Sequence, residues 1–303
     1  MLSTLWQQSR SLTATALVML IAFVFSLIGL ALDPRIVTAM PVWLKPAKFA
    51  ISTAIFAASL AWLFRYLPDF PKTKRFIGPA LSFILILEVG IIDFQAARGT
   101  TSHFNVSTPQ NIVLFAIMGT AIGILWLLSV WLLVALFRQP FQDRAWGWAL
   151  RLALLISVLG SGSGGLMTTP TPAQRAVIAQ HQRPSVIGAH TVGAPDGGPG
   201  LHALGWSTRH GDLRIPHFIG MHALQIIPLL AWWARRKRTV PFVFSISASY
   251  FVLYLILLFQ ALAGESITEP RNAALAALAI WFVATLAALI PFNRRANSIY
   301  AVS

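Results

Sequence analysis

The sequence has no cysteine, which excludes disulfides, thiolate metal ligands and a thiol nucleophile together. Acidic residues are also scarce: 9 Asp and Glu stand against 23 Lys and Arg in 303 residues, for a formal net charge of +14. Charged residues of both signs make up only 11% of the chain, 56% is hydrophobic, and the mean hydropathy is +0.70. These values fall outside the range of soluble globular domains. What the chain has instead is a series of long apolar runs, and it reads as an all-α integral membrane protein.

Eight runs of about 20 residues are long enough to cross a hydrocarbon core of roughly 30 Å. They lie near 13–32, 48–66, 76–97, 111–137, 145–167, 214–234, 240–262 and 272–292. No small-x-small cleavage site follows the first, so it reads as a retained helix rather than a removed signal peptide. Eight crossings collect Arg10, Arg65, Lys72, Lys74, Arg75, Arg138, Arg144, the run Arg235 to Arg238, Arg294 and Arg295 on one side, with only Asp69 and Asp143 opposing them. The positive-inside rule makes that side, and both termini, cytoplasmic. The positive charge is then a topology signal and an attraction for anionic lipid, and no nucleic-acid partner is expected. All 7 histidines fall outside or in the outer half of a span, so the informative chemistry faces outward.

The chain also resembles itself. "LKPAKF" (Leu44 to Phe49) opens the second span and "LRIPHF" (Leu213 to Phe218) the sixth. "DFQAARG" (Asp93 to Gly99) closes the third and "LFQALAG" (Leu258 to Gly264) the seventh, and "TPQN" (Thr108 to Asn111) and "TEPRN" (Thr268 to Asn272) follow. Offsets of 169, 165 and 161 in the same order point to a tandem 4+4 repeat, 1–140 and 141–303, with copies related by an axis along the membrane normal. The halves differ most in a turn-rich outer loop, 168–213, between the fifth and sixth helices. It contains "GAPDGGPGLHALGW" (Gly193 to Trp206), which suits either a packed cap or a tether.

Ionisable groups inside spans are costly and usually face a protein interior or a cavity. Glu88, near mid-span, Asp93 and His222 are the candidate catalytic groups, with His222 pairing with Glu88 or Asp93 or simply holding two helices together. His217 and His222 are candidate cofactor ligands, to a metal or haem held between helices, although their spacing of five does not let an undistorted helix direct both at one ion. Lys48, Gln95, Arg98, His103, Arg214, Gln225 and Gln260 gather toward the outer ends as candidate contacts for a small or anionic substrate; half of such charges would ordinarily be snorkelling anchors. The repeat pairs Lys48 with His217 and Gln95 with Gln260, which would bring these four together near the axis.

Three further features are structural in character. "GSGSGG" (Gly160 to Gly165) suits close packing through Gly160 and Gly164, or a broken helix end. Tryptophans at span ends read as interfacial belts. "NVS" at Asn105 fits a glycosylation sequon.

The run "VGAPDGGPGLHALGWSTRHGDLRIPHFIGMHALQ" (Val192 to Gln225), with "ARGTTSHFN" (Ala97 to Asn105), resembles a signature of a family of bacterial polytopic inner-membrane proteins without assigned function. The resemblance implies a bacterial inner-membrane setting and supplies no activity. Three functions stay open: a membrane-embedded enzyme or metal- or haem-binding redox protein, a proton-coupled small-molecule transporter built on Glu88, and a scaffold or assembly protein. The lipid bilayer is the one partner implied; no particular cofactor follows from the residues.

Overall fold

The computed structural model describes residues 2–235 and 238–300, with side chains described as far as Phe292. Of the basic residues counted above, Arg236, Lys237 and the side chains of Arg294 and Arg295 lie outside it. The chain is almost entirely helical: α1 (Leu2–Gln8), α2 (Arg10–Leu32), α3 (Leu44–Leu63), α4 (Pro71–Ala97), α5 (Pro109–Arg138), α6 (Arg144–Gly162), α7 (Pro172–Ala179), α8 (Arg214–Trp233), α9 (Val240–Leu262) and α10 (Asn272–Tyr300). Eight helices, all but the short α1 and α7, are long and apolar enough to cross a membrane. The α3 and α4 helices begin earlier than the apolar runs alone indicate, at Leu44 and Pro71, because a helix satisfies its backbone whether or not its first side chains are charged.

Small residues bring the helices together. In α3, Ala47, Ala50, Ala54, Ala57 and Ala61 recur every three or four positions and are all buried, and α2 lies along them through Leu12, Ala16 and Met19. The α6 and α8 helices approach more closely still: a Cβ on Gly160 would lie 2.4 Å from the Gly220 backbone. Such stripes let backbones approach where lipid offers no hydrophobic drive for association. One core cluster joins α2 to α6 and takes in Leu224 of α8, and a second joins α6, α8 and α9. By contrast, α10 leans on α9 through Trp281 and Thr285, and its apolar window presents no buried residues.

Two antiparallel hairpins deliver the chain to α3 and α8. The first, β1 (Ile36–Val37) with β2 (Met40–Pro41), turns through Thr38 and Ala39 at φ 49° and 61°, the left-handed pair a two-residue hairpin turn requires. The second, β3 (Thr191–Val192) with β4 (Gly211–Asp212), carries residues 193–210 in place of that turn. The backbone bond from Val42 N to Arg35 O in the first hairpin has its match from Leu213 N to His190 O in the second. Before it, the chain passes through a 3-10 turn (Ser163–Thr168) and α7, whose start is closed by a Thr171–Gln174 capping box. Residues 168–213 are tied to the bundle by bonds from Val106 N to Ser185 O, Ile187 N to Phe104 O and Ala189 N to Met167 O.

Candidate functional site

The site begins with how α4 ends. Gly99, at φ 71°, lets Thr100 N bond to Gln95 O and Gly99 N to Ala96 O, a Schellman closure that folds the following loop back over the helix. That loop carries His103. A buried clasp then fixes it: Gln95 Nε2 donates to Asn111 Oδ1 at 3.1 Å, Arg98 Nη1 donates to Gln95 Oε1 at 2.6 Å and to Asn111 Oδ1 at 3.0 Å, and Asn111 Nδ2 donates to Asn105 Oδ1 at 3.2 Å. Gln95 and Arg98 therefore position the loop. Asn105 is consumed by the same network, its Nδ2 donating to Thr100 Oγ1 and Thr101 O, and at 5% exposure the sequon asparagine is out of reach of a modifying enzyme in the folded chain.

The loop sets His103 between two charged helices. Lys45 Nζ, from α3, lies 3.0 Å from His103 Nδ1, and Ser102 Oγ is also at 3.0 Å. With Lys45 as an ammonium, which can only donate, Nδ1 accepts and the ring proton sits on Nε2. Nε2 is 3.4 Å from Glu88 Oε1 on α4. Burial first, then the nearby charges of Lys45 and His190, hold the His103 pKa well below its ordinary value, so the ring is neutral near pH 7. The other oxygen of Glu88, Oε2, is buried without a hydrogen-bond partner among the described residues. The imidazole partner of Glu88 is thus His103, and His222, the expected partner, lies elsewhere: its Nδ1 is 3.1 Å from Gln225 Oε1 and its ring stands against Phe218.

A second imidazole–carboxylate pair sits across Phe104, whose ring centroid is 6.1 Å from that of His103 and 4.9 Å from that of His190. His190 Nδ1 lies 2.6 Å from Asp196 Oδ2, and Asp196 also accepts from the backbone N–H of His190 and Thr191. Burial lowers the His190 pKa, with Asp196 opposing. Burial alone would raise Asp196, but the hydrogen bonds from the His190 ring and from the His190 and Thr191 backbone outweigh it and hold the carboxyl below its usual range. The sequence reading passed over both residues; their one signal is a His and an Asp bracketing the Gly193–Pro195 turn.

The N-termini of α3 and α8 meet the 193–210 segment. These 20-residue helices each carry a proline at the third position and lack an acid in the first turn and a side-chain N-cap. Deeper in the bundle they touch where Gln225 Nε2 donates to Ser59 Oγ at 3.0 Å. At their ends Lys48 Nζ donates to Leu204 O at 2.9 Å, and Arg214 Nη2 donates to Gly205 O at 2.5 Å while its guanidinium also grips the buried Asp212. Each cation at a helix N-terminus is opposed by the macrodipole by about 0.3–1 kcal/mol, so Lys45, Lys48 and Arg214 together make this end electropositive.

The remaining candidates have separate partners. His217 Nδ1 donates to Gly160 O at 2.9 Å, across the α6–α8 contact. Gln260 Nε2 donates to Ser266 O at 3.0 Å, closing the loop after α9 as Gln95 helps close the one after α4. Lys48, His217, Gln95 and Gln260 thus do not meet one another. Asp93 is half-buried, its Oδ1 unpartnered among the described residues. No group of three His, Asp or Glu side chains there is arranged to hold a metal ion, and His217 and His222 each have Nδ1 engaged within the protein.

Fold and site define a class: a multi-pass helical membrane protein of eight candidate spans, with a Lys45–His103–Glu88 cluster where the loop after α4 meets α3. No family model matches the chain, nor does any curated protein or solved structure.

Proposed function

We propose that this is a proton-coupled small-molecule transporter whose coupling group is Glu88, reached from the loop side through His103. The observation that carries the reading is the chain Lys45–His103–Glu88, in which the His103 ring, engaged with Lys45 through Nδ1, has its Nε2 3.4 Å from a buried carboxylate whose second oxygen has no partner among the described residues. An imidazole with one nitrogen protonated and the other accepting can pass a proton through its ring, and a carboxylate inside a span is the group such a path would serve. The membrane-embedded enzyme reading, with Glu88, Asp93 and His222 as acid and base, draws less support, since those three have no shared contact.

The finer architecture belongs to the same proposal. The charge distribution supports cytoplasmic termini and an outward-facing relay, in a bacterial inner membrane as the resemblance implies. Packing supports the 4+4 repeat: α2 lies along α3 as α6 lies along α8, and α4 is flanked by α5 as α9 is by α10. Gly264 repeats the Gly99 closure at φ 74°, with Glu265 N bonded to Gln260 O. In this frame residues 193–210 are an outer cap.

The test is proton exchange at Glu88. In infrared difference spectra of reconstituted protein, a carboxyl C=O band absent from E88Q is expected to exchange with deuterated solvent, about 10²-fold more slowly in H103Q. Pyranine-loaded proteoliposomes screened with small organic solutes should show a proton flux that E88Q abolishes. Equal exchange rates in wild type and H103Q, or solute uptake indifferent to E88Q, would overturn the reading.

A further inference from the structure

We infer that Lys45, Lys48 and Arg214 form a binding site for a small anion bearing a carboxylate or phosphate group, and that the Leu204 and Gly205 carbonyl oxygens stand in for that anion here. This deepens the reading above by giving the ligand its charge. Two adjacent peptide oxygens face two cations drawn from different helices, Lys48 at 2.9 Å and Arg214 at 2.5 Å. That is the arrangement two oxygens of one carboxylate or phosphate would satisfy more strongly, because the acceptor would carry the opposite charge.

The charges around the two carbonyls favour such a ligand. Arg214 is close enough to both lysines for like charges to repel, and the N-termini of α3 and α8 add the same sign. Asp212 pairs with Arg214 and also faces Lys48, and Glu88 and Asp196 face Lys45, but the hydrogen bonds of Lys48 and Lys45 themselves go to a neutral carbonyl and a neutral imidazole. An anion bonded to Lys48 and Arg214 would replace two neutral acceptors with charged ones.

The cap is built so that its tip can be exchanged. Its base is pinned, with Ser207 N bonded to Asp212 Oδ2, Ser266 Oγ to Ser207 O and Thr268 Oγ1 to Thr208 O. Its tip folds on itself, through Leu201 N to Trp206 O and Gly205 N to Leu201 O. Against the first half of the chain it makes the Lys48 bond and close approaches of Gly197 to Thr38 and Gly205 to Met40. An anion taking Lys48 and Arg214 from the two carbonyls removes the polar hold on that tip.

Because the chain has no cysteine, H202C accepts a single nitroxide label on the exposed tip. In phosphate-free maltoside, inorganic phosphate is titrated against chloride at equal ionic strength, and phosphatidylglycerol is titrated in a parallel arm. A saturable rise in label mobility is expected; a response to inorganic phosphate identifies a solute anion, and a response to the lipid alone identifies a headgroup. Equilibrium dialysis of whichever ligand responds should show affinity reduced about tenfold or more in K48Q and in R214Q, with K48R close to wild type. No response in either arm, or the same affinity in K48Q as in wild type, overturns the inference. The label reports binding in detergent with no proton gradient, so its failure and the failure of exchange at Glu88 are separate results.

Discussion

His103 and His190 should make the protein lose stability as pH falls below neutrality. Each imidazole is only 21% exposed, and burial holds both native pKa values below the ordinary 6.5. In the unfolded chain each binds a proton near pH 6.5, while in the native state each stays neutral to lower pH. Unfolding therefore takes up protons in that window. A base whose folded pKa is depressed contributes stability that is complete above pH 6.5 and is lost as pH falls toward the folded value. A histidine that stays neutral in the native state contributes up to about 1.4 kcal/mol per pH unit below 6.5, as His103 does, and His190, where Asp196 opposes the effect of burial, contributes less. Asp196, also depressed, adds in the same direction, but only below about pH 4.

The measurement is thermal or denaturant unfolding in maltoside between pH 7.5 and 5, comparing slopes rather than absolute stabilities. Groups away from the substituted ring titrate alike in wild type and variant, so the slope difference reports the imidazole together with the charged groups it touches. H103Q should flatten the slope by up to about 1.4 kcal/mol per unit and H190Q by less, although both lower stability at pH 7.5 by losing packing and hydrogen bonds. Variant slopes equal to that of wild type would refute the assignment of neutral, buried imidazoles.

Two further outcomes test the frame around the site. Gly160→Ala should destabilise by about 1–3 kcal/mol, because its Cβ meets the Gly220 backbone at 2.4 Å and no flexible side chain can yield, whereas Gly165→Ala, with open space around it, should melt like wild type. Equal melting temperatures for the two would mean that the helices are not in contact there. Asn111→Ala removes the acceptor of Gln95 and Arg98 and the donor to Asn105, leaving buried groups unsatisfied at about 1–3 kcal/mol. Trypsin should then cut faster at Arg98, and unchanged cleavage would count against the clasp.

The helices are legible in the sequence because a 20-residue apolar run has one stable form in hydrocarbon, with every backbone group bonded within the helix. Part of the site is legible for the related reason that Glu88 and His103 are expensive where they stand. Their pairing is not, because it runs through a loop whose return depends on the Gly99 closure and on four side chains locking together. Pairing Glu88 with His222 assumed that two helices turn facing sides to each other. That rotation is set by packing, through contacts such as Ser59 with Gln225 and Leu224 in the first core, which leave no periodic trace. His190 and Asp196 escaped notice because a Gly- and Pro-rich loop has no repeating pattern from which a contact can be drawn.

On the repeat reading, the two copies have divided the work. At the offset of 165 that relates Gln95 to Gln260 and Gly99 to Gly264, the buried and unpartnered Ser82 falls on Ser247, which is also buried and unpartnered. On that reading the frame is kept at this position to the level of a single side chain. Glu88 and Asp93 fall on Leu253 and Leu258, so the second copy has no acid at either position. It carries instead the 193–210 segment, placed where the first copy makes a two-residue turn. The first copy supplies the carboxylate, His103 and two lysines; the second supplies Arg214, the His190–Asp196 pair and the cap that Lys48 holds. If Glu88 carries the proton as proposed, neither copy alone has both that group and its cover, so activity should require α3 and α8 side by side, with the Ser59–Gln225 bond joining them below the cap.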